Sequence, residues 1–242
     1  MIDVHAPGLG LCLGGGGTLA GAHIGVLQVM HARGIRPGLV VGTSAGALVG
    51  AAFAMGIDPD RLEDLLLDVR WQDVATVPRR PGAGLLDAEA LRASVVDLIG
   101  GDVRIEDMPM RFAAVATDVA SRRATVIERG SLVDALRATI SVPGLFRPVQ
   151  LDGRRLLDGG LKANLPLEET LALGATPVLA VRVAPDWDVP GYSSSRVVRE
   201  LSTRDDVLVL SPDLRGRTWW QTRDLGAVVA AGRAAAEAAL PR

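Results

Sequence analysis

The pentapeptide Gly42-Thr43-Ser44-Ala45-Gly46 is the segment of this 242-residue chain best suited to covalent chemistry. It fits the G-x-S-x-G pattern, in which a serine sits on a sharp turn between a strand and a helix and its hydroxyl stands clear of the sheet. Gly42 and Gly46 flank the serine because so tight a turn leaves no room for side chains. A helix starting at Ala45 offers free N–H groups and a positive dipole end to a developing oxyanion. The run Gly14–Gly17 also follows an apolar stretch and precedes a helical pattern, so its backbone can cradle an anion. The N–H groups of Gly15, Gly16, Gly17 and Ala45 therefore form the candidate oxyanion hole.

A serine hydroxyl is a weak nucleophile and needs a base. The three histidines, His5, His23 and His31, all precede Ser44. An α/β-hydrolase requires the order serine, acid, histidine, so that arrangement is excluded. His23 falls inside the first helix, where packing or a local hydrogen bond explains it. A carboxylate remains, and Asp158-Gly159-Gly160 is the candidate. Asp152-Gly153 reads as an ordinary hairpin turn, whereas Asp158 follows the second hairpin strand, where no further turn is needed. The pair Gly159 and Gly160 lets the backbone approach a neighbouring loop closely. On spacing alone Asp158 is a candidate and no more. Gly15, Gly17 and Ala20 also fit the dinucleotide pattern G-x-G-x-x-A, but no acidic residue lies between Arg36 and Ala45 to hold a ribose. No phosphate-loop lysine follows the glycines either.

Two strand–glycine–helix units must carry these groups. Leu9–Leu13 leads into a helix from about Ala20 to Arg33, and Leu39–Val41 into one reaching about Met55. Such units predict a parallel sheet with crossover helices. Asp58-Pro59 opens a helix through Asp68. Trp71–Gly84 reads as a loop, and Asp87 caps a helix through Leu98. Strands are expected at Arg111–Val119, Arg123–Ile127 and Pro177–Val183, a helix at Ser131–Ile140, and a hairpin from Phe146 to Leu157. A helix near Leu167–Leu173, a strand Asp206–Leu210 and a closing helix Asp224–Leu240 complete the pattern. Ala184–Asp205 reads as a long loop or lid. One α/β domain over residues 1–242 is expected, three-layered (α/β/α) around a mostly parallel sheet.

Composition narrows the partners. With 26 basic and 28 acidic side chains and 48% hydrophobic residues, the chain is neither disordered nor charged enough to seek nucleic acid. Its single cysteine, Cys12, excludes an internal disulfide and a cysteine-based metal cluster. Met1–His5 lacks the basic start of a secretory signal, and no apolar run reaches membrane-spanning length. A soluble, cytoplasmic protein with at most peripheral membrane contact is expected. Trp219-Trp220 is either core or lid packing or a contact pair for membrane or a second copy, which keeps a homo-oligomer open.

Together these motifs resemble the patatin-like phospholipase family. Leu11–Gly17, continuing through Ala22-His23-Ile24-Gly25-Val26-Leu27, is similar to its glycine-rich loop and first helix. Gly42–Gly46 matches its serine elbow, and Asp158-Gly159-Gly160 its Asp-Gly-Gly motif, followed by Asn164-Leu165-Pro166. Thr117-Asp118 and Ser141–Phe146 are also similar. The resemblance implies a dyad of Ser44 and Asp158, acting on acyl esters of lipids without metal or cofactor. An acyltransferase or thioesterase would use the same dyad, and a catalytically weak lipid-binding or regulatory protein would keep the fold. One position departs from the family pattern. Where the family has Arg or Lys followed by Gly, this chain has Leu19 and Ala20, with Gly21 one place later. If Leu19 faces the ligand, neutral esters should be preferred over anionic phospholipids; if it faces the core, it has no such effect.

Overall fold

Strand β1 (Gly10–Leu13) is buried along its whole length, as an apolar strand covered on both faces should be. The computed structural model describes residues 2–68, 96, 101–184 and 195–241. A short 3-10 turn, Gly17–Ala20, leads into helix α1 (Gly21–Ala32). Strand β2 (Leu39–Thr43) runs directly into α2 (Ala45–Ala54), and α3 (Pro59–Asp68) follows, with Asp58 accepting the Asp60 N–H at its start. Strands β3 (Arg111–Asp118) and β4 (Arg123–Ile127) come next, then α4 (Leu132–Thr139), capped by the Ser131 hydroxyl. The hairpin β5 (Val149–Leu151) and β6 (Arg154–Asp158) turns at Asp152-Gly153, both at positive φ as a tight hairpin turn requires. The remaining elements are α5 (Gly160–Ala163), α6 (Leu167–Ala172), β7 (Val178–Val181), α7 (Ser195–Leu201), β8 (Val207–Leu210) and α8 (Leu225–Ala239).

The sheet order is β5-β6-β3-β2-β1-β7-β8, with β4 also paired to β3. The five strands from β3 to β8 along that path pair in parallel, and β4, β5 and β6 join antiparallel. Alternate residues divide the core as a period of two demands. Leu11, Leu13, Val40 and Phe112 pack with residues of α1, α2, α4 and α8. Cys12, Val41, Ala113 and Val115 face the other way, against Ala163, Leu167 and Val198. This is the expected three-layer α/β/α fold.

Ala184–Asp205 differs from the expected loop, because Ser195–Leu201 is the helix α7 and buries Val198. The predicted loop Trp71–Gly84, residues 185–194 and nearly all of the predicted helix Asp87–Leu98 lie outside the described residues; within that helix Val96 is helical. No helix among the described residues is long and apolar enough to cross a membrane.

Helices α1 and α8 pack backbone to backbone. A Cβ at Gly25 would run into the Val229 carbonyl, and one at Gly232 into the Ala22 carbonyl. Gly232→Ala should therefore cost roughly 1–3 kcal/mol through overpacking. Gly226, on the same helix, faces open space, and Gly226→Ala should be neutral or slightly stabilising because alanine is the better helix former. Thermal melts of both variants check this, and equal losses would argue against close helix packing.

Candidate active site

The turn from β2 into α2 gives Ser44 φ 52° and ψ −129°. A residue with a side chain adopts such a conformation only where its surroundings hold it there. Four hydrogen bonds do so. The Ser44 N–H donates to Thr139 Oγ1 at 2.8 Å, the Ser44 carbonyl accepts the N–H groups of Ala47 and Leu48, and Ser44 Oγ donates to Asp158 Oδ2 at 2.8 Å. Gly46 is needed because a Cβ there would strike the carbonyls of Leu13 and Gly14. Gly42 likewise lies against the backbone of Ala47.

Asp158 ends β6 and is only 1% exposed. Its Oδ1 accepts the Gly160 N–H at 2.7 Å, which leaves Oδ2 aimed at the serine. Burial pushes its carboxyl up to about 6, against the opposing pull of the hydrogen bonds from Gly160 and Ser44. A base with that value accepts a proton at neutral pH more readily than an ordinary aspartate. At Gly159 a Cβ would collide with the Val115 carbonyl, so only glycine lets β6 end this close to β3.

Gly15 lies against Ser44, and its N–H donates to the Asn164 carbonyl at 2.9 Å. It is therefore engaged and differs from the oxyanion donor expected of it; its part is to hold the loop in place. Gly16, Gly17 and Ala45 donate to no other backbone group among the described residues. His23 is fully buried, and its Nε2–H donates to the Gly14 carbonyl at 2.8 Å. Burial lowers its pKa to about 4, so the ring is neutral and acts as a strut for the glycine loop.

Sequence reasoning did not anticipate Thr139. Its hydroxyl donates to the Val115 carbonyl while accepting from Ser44, and its own carbonyl accepts the Gly159 N–H. A threonine near a helix end carries no motif that would have marked it. Thr43 and Thr117 brace the same region through their hydroxyls, to the carbonyls of Ala163 and Asp158.

An apolar cavity of about 320 Å³ adjoins Gly17 and Ala45, lined also by Ile24, Leu48, Leu66 and Trp219. The Trp219 carbonyl accepts the Thr18 N–H, and its ring packs edge-on against Trp220 with centroids 5.1 Å apart. Trp219 thus belongs to the cavity wall, while Trp220 is 54% exposed. A groove of about 380 Å³ beside Gln28, Asp60 and Arg233 touches neither Ser44 nor Asp158.

Residues 11–171 match the family model described as patatin-like phospholipase. The chain belongs to the patatin-like phospholipase family. An uncharacterized NTE family protein of Mycobacterium tuberculosis is 36% identical over 181 residues, covering 73% of this chain and 49% of that protein. A putative patatin-like phospholipase domain-containing protein of Caenorhabditis elegans is 31% identical over 188 residues, 74% of this chain and 17% of the relative. The chain thus spans half or less of the length of these relatives. Among solved structures, VipD from Legionella pneumophila superposes with a TM-score of 0.57 at 15% identity, over 95% of this chain and 66% of VipD. The type III effector ExoU gives 0.56 at 13%, over 96% and 52%. At these identities the likeness is one of fold.

The family's Arg or Lys position is the buried Leu19, 7% exposed and part of the core. It does not line the cavity, so the expectation that it offers apolar surface to the ligand is not met. Leu19→Arg should bury an unpaired charge and cost about 3 kcal/mol or more, while Leu19→Met should cost little. Denaturant melts of both variants check this; an arginine variant as stable as the parent would mean the position is not core.

Proposed function

We propose that this chain is a serine acyl hydrolase acting on lipid-like carboxylic esters. The observation that carries the reading is the 2.8 Å hydrogen bond from Ser44 Oγ to a buried carboxylate, beside an apolar cavity that suits an acyl chain. Ser44 Oγ attacks the ester carbonyl carbon as its proton passes to Asp158 Oδ2. The N–H groups of Gly16, Gly17 and Ala45 receive the oxyanion, helped by the dipole of α2. The C–O bond to the alcohol then breaks, and the leaving oxygen takes the proton back from Asp158. The same carboxylate removes a proton from water as its oxygen attacks the acyl-serine; the C–O bond to Ser44 Oγ then breaks, Oγ takes the proton back from Asp158, and the acid leaves.

His23 has no place in these steps, because its Nε2–H is committed to Gly14. Leu19 supplies neither charge nor contact to the cavity, so it sets no preference between neutral and anionic esters. Acyl transfer would use the same groups, and added alcohol acceptors separate the two by their products.

A fluorophosphonate should label Ser44, and Ser44→Ala should abolish both labelling and ester turnover with the fold intact. Asp158→Asn is nearly isosteric yet cannot accept the proton, so turnover should fall by at least about 10²-fold. Peptide mapping and hydrolysis of a short p-nitrophenyl ester decide it. Labelling elsewhere, or full activity without Asp158, would sink the dyad.

Turnover should also depend on pH in one direction. Below about 6 the Asp158 carboxyl holds its proton and cannot act as base, so kcat/KM should fall by about tenfold per pH unit on the acid side. A profile between pH 4.5 and 8 reads this limb. A rate unchanged down to pH 4.5 would exclude the buried carboxylate as the base.

A further inference from the structure

We propose that Thr139 is a positioning residue that locks the nucleophile and the base to one another. The inference rests on the reading of Ser44 and Asp158 as the dyad. Thr139 is fully buried at the end of α4, and three of its bonds converge on the junction of β2, β3 and β6. Its hydroxyl accepts from the Ser44 N–H and donates to the Val115 carbonyl, so both its hydrogen-bonding capacities are directed to fixed backbone. Its carbonyl accepts from Gly159, the residue after the base. One residue therefore touches the backbone on both sides of the dyad.

The bond to Ser44 has two effects. It holds a serine at φ 52°, a conformation that would otherwise relax. It also occupies the Ser44 N–H, so this group cannot serve the oxyanion and Ala45 becomes the donor on that side. Valine at 139 keeps the shape but removes the hydroxyl, so the Ser44 N–H loses its acceptor and the Val115 carbonyl loses a donor. Relief of that cost comes from the elbow turning away from its active form. Serine at 139 restores the hydroxyl and loses only a methyl group.

The test compares Thr139→Val and Thr139→Ser by the rate of fluorophosphonate labelling and by kcat and KM on a soluble p-nitrophenyl ester. Valine should lower the labelling rate and kcat by roughly 10- to 100-fold, the scale of losing the hydrogen bonds that hold the elbow. KM should change by less than about twofold, because the loss falls on the reacting geometry. Serine should recover most of the rate. Valine at the parent rate, or serine as slow as valine, overturns the proposal. Amide hydrogen exchange on the unaltered protein covers the case in which valine does not fold. The Ser44 amide should exchange more slowly than that of Ala45, and equal rates would overturn the proposal too. A parent that is never labelled at Ser44 overturns the dyad itself, whereas a labelled parent with an unaffected valine variant overturns Thr139 alone.

Discussion

Strand β3 offers one edge to two strands that run toward each other, and the site depends on how they meet. Thr43, the last residue of β2, lies opposite Val115, and Asp158, the last of β6, lies opposite Ala116. Neighbouring residues of a strand are about 3.3 Å apart, so the two chain ends arrive at adjacent positions with no room for either to continue in the sheet. Each must leave its strand at that point. The serine turn is one exit and the Asp-Gly-Gly segment is the other, and a direct hydroxyl–carboxylate bond follows from the register. On the far edge of β3, β4 pairs with the same residues, Ala114–Asp118, and keeps that register from slipping.

The electrostatics follow from the same crowding. Asp158 is removed from water, and hydrogen bonds from a hydroxyl and a backbone amide oppose its rise in pKa. A strong ion pair would stabilise the carboxylate and weaken it as a base. Burial has the opposite effect and leaves it ready to take a proton. The imidazole nearby is a support of the loop, in keeping with its neutral state. The raised proton affinity of Asp158 thus comes from solvent exclusion and from no neighbouring charge.

Much of this was legible from residue order. Two glycine-rich turns after apolar runs gave the parallel units, and the position of the histidines before Ser44 removed the α/β-hydrolase triad. The Asp152-Gly153 turn was distinguishable from Asp158-Gly159 because a hairpin needs only one turn between its strands. Four features were not legible. The engagement of Gly15 by Asn164 joins residues far apart in the chain, and no local pattern announces it. Thr139 acts through a hydroxyl whose partners are backbone atoms of other elements, which are invisible to spacing. The inward orientation of Leu19 depends on a 3-10 turn of four residues that precedes the helix expected from about Ala20, so no helical period fixes which way it points. Polar Ala184–Asp205 concealed α7, whose one fully buried apolar residue, Val198, is too little to set a period.

Strand β1 carries the glycine loop at its end and lies between β2 and β7, and the Gly14 N–H is held by the Val181 carbonyl of β7. The family match stops at residue 171, before β7 begins. A protein cut at that boundary would keep Ser44 and Asp158 and lose the neighbour on the other side of β1. It would then expose a row of unpaired amides and carbonyls on an entirely apolar strand, an invitation to edge-to-edge aggregation. The motif-bearing region and the length of chain that pairs β1 on both edges therefore differ, and the strand that covers the second edge of β1 lies beyond the family match.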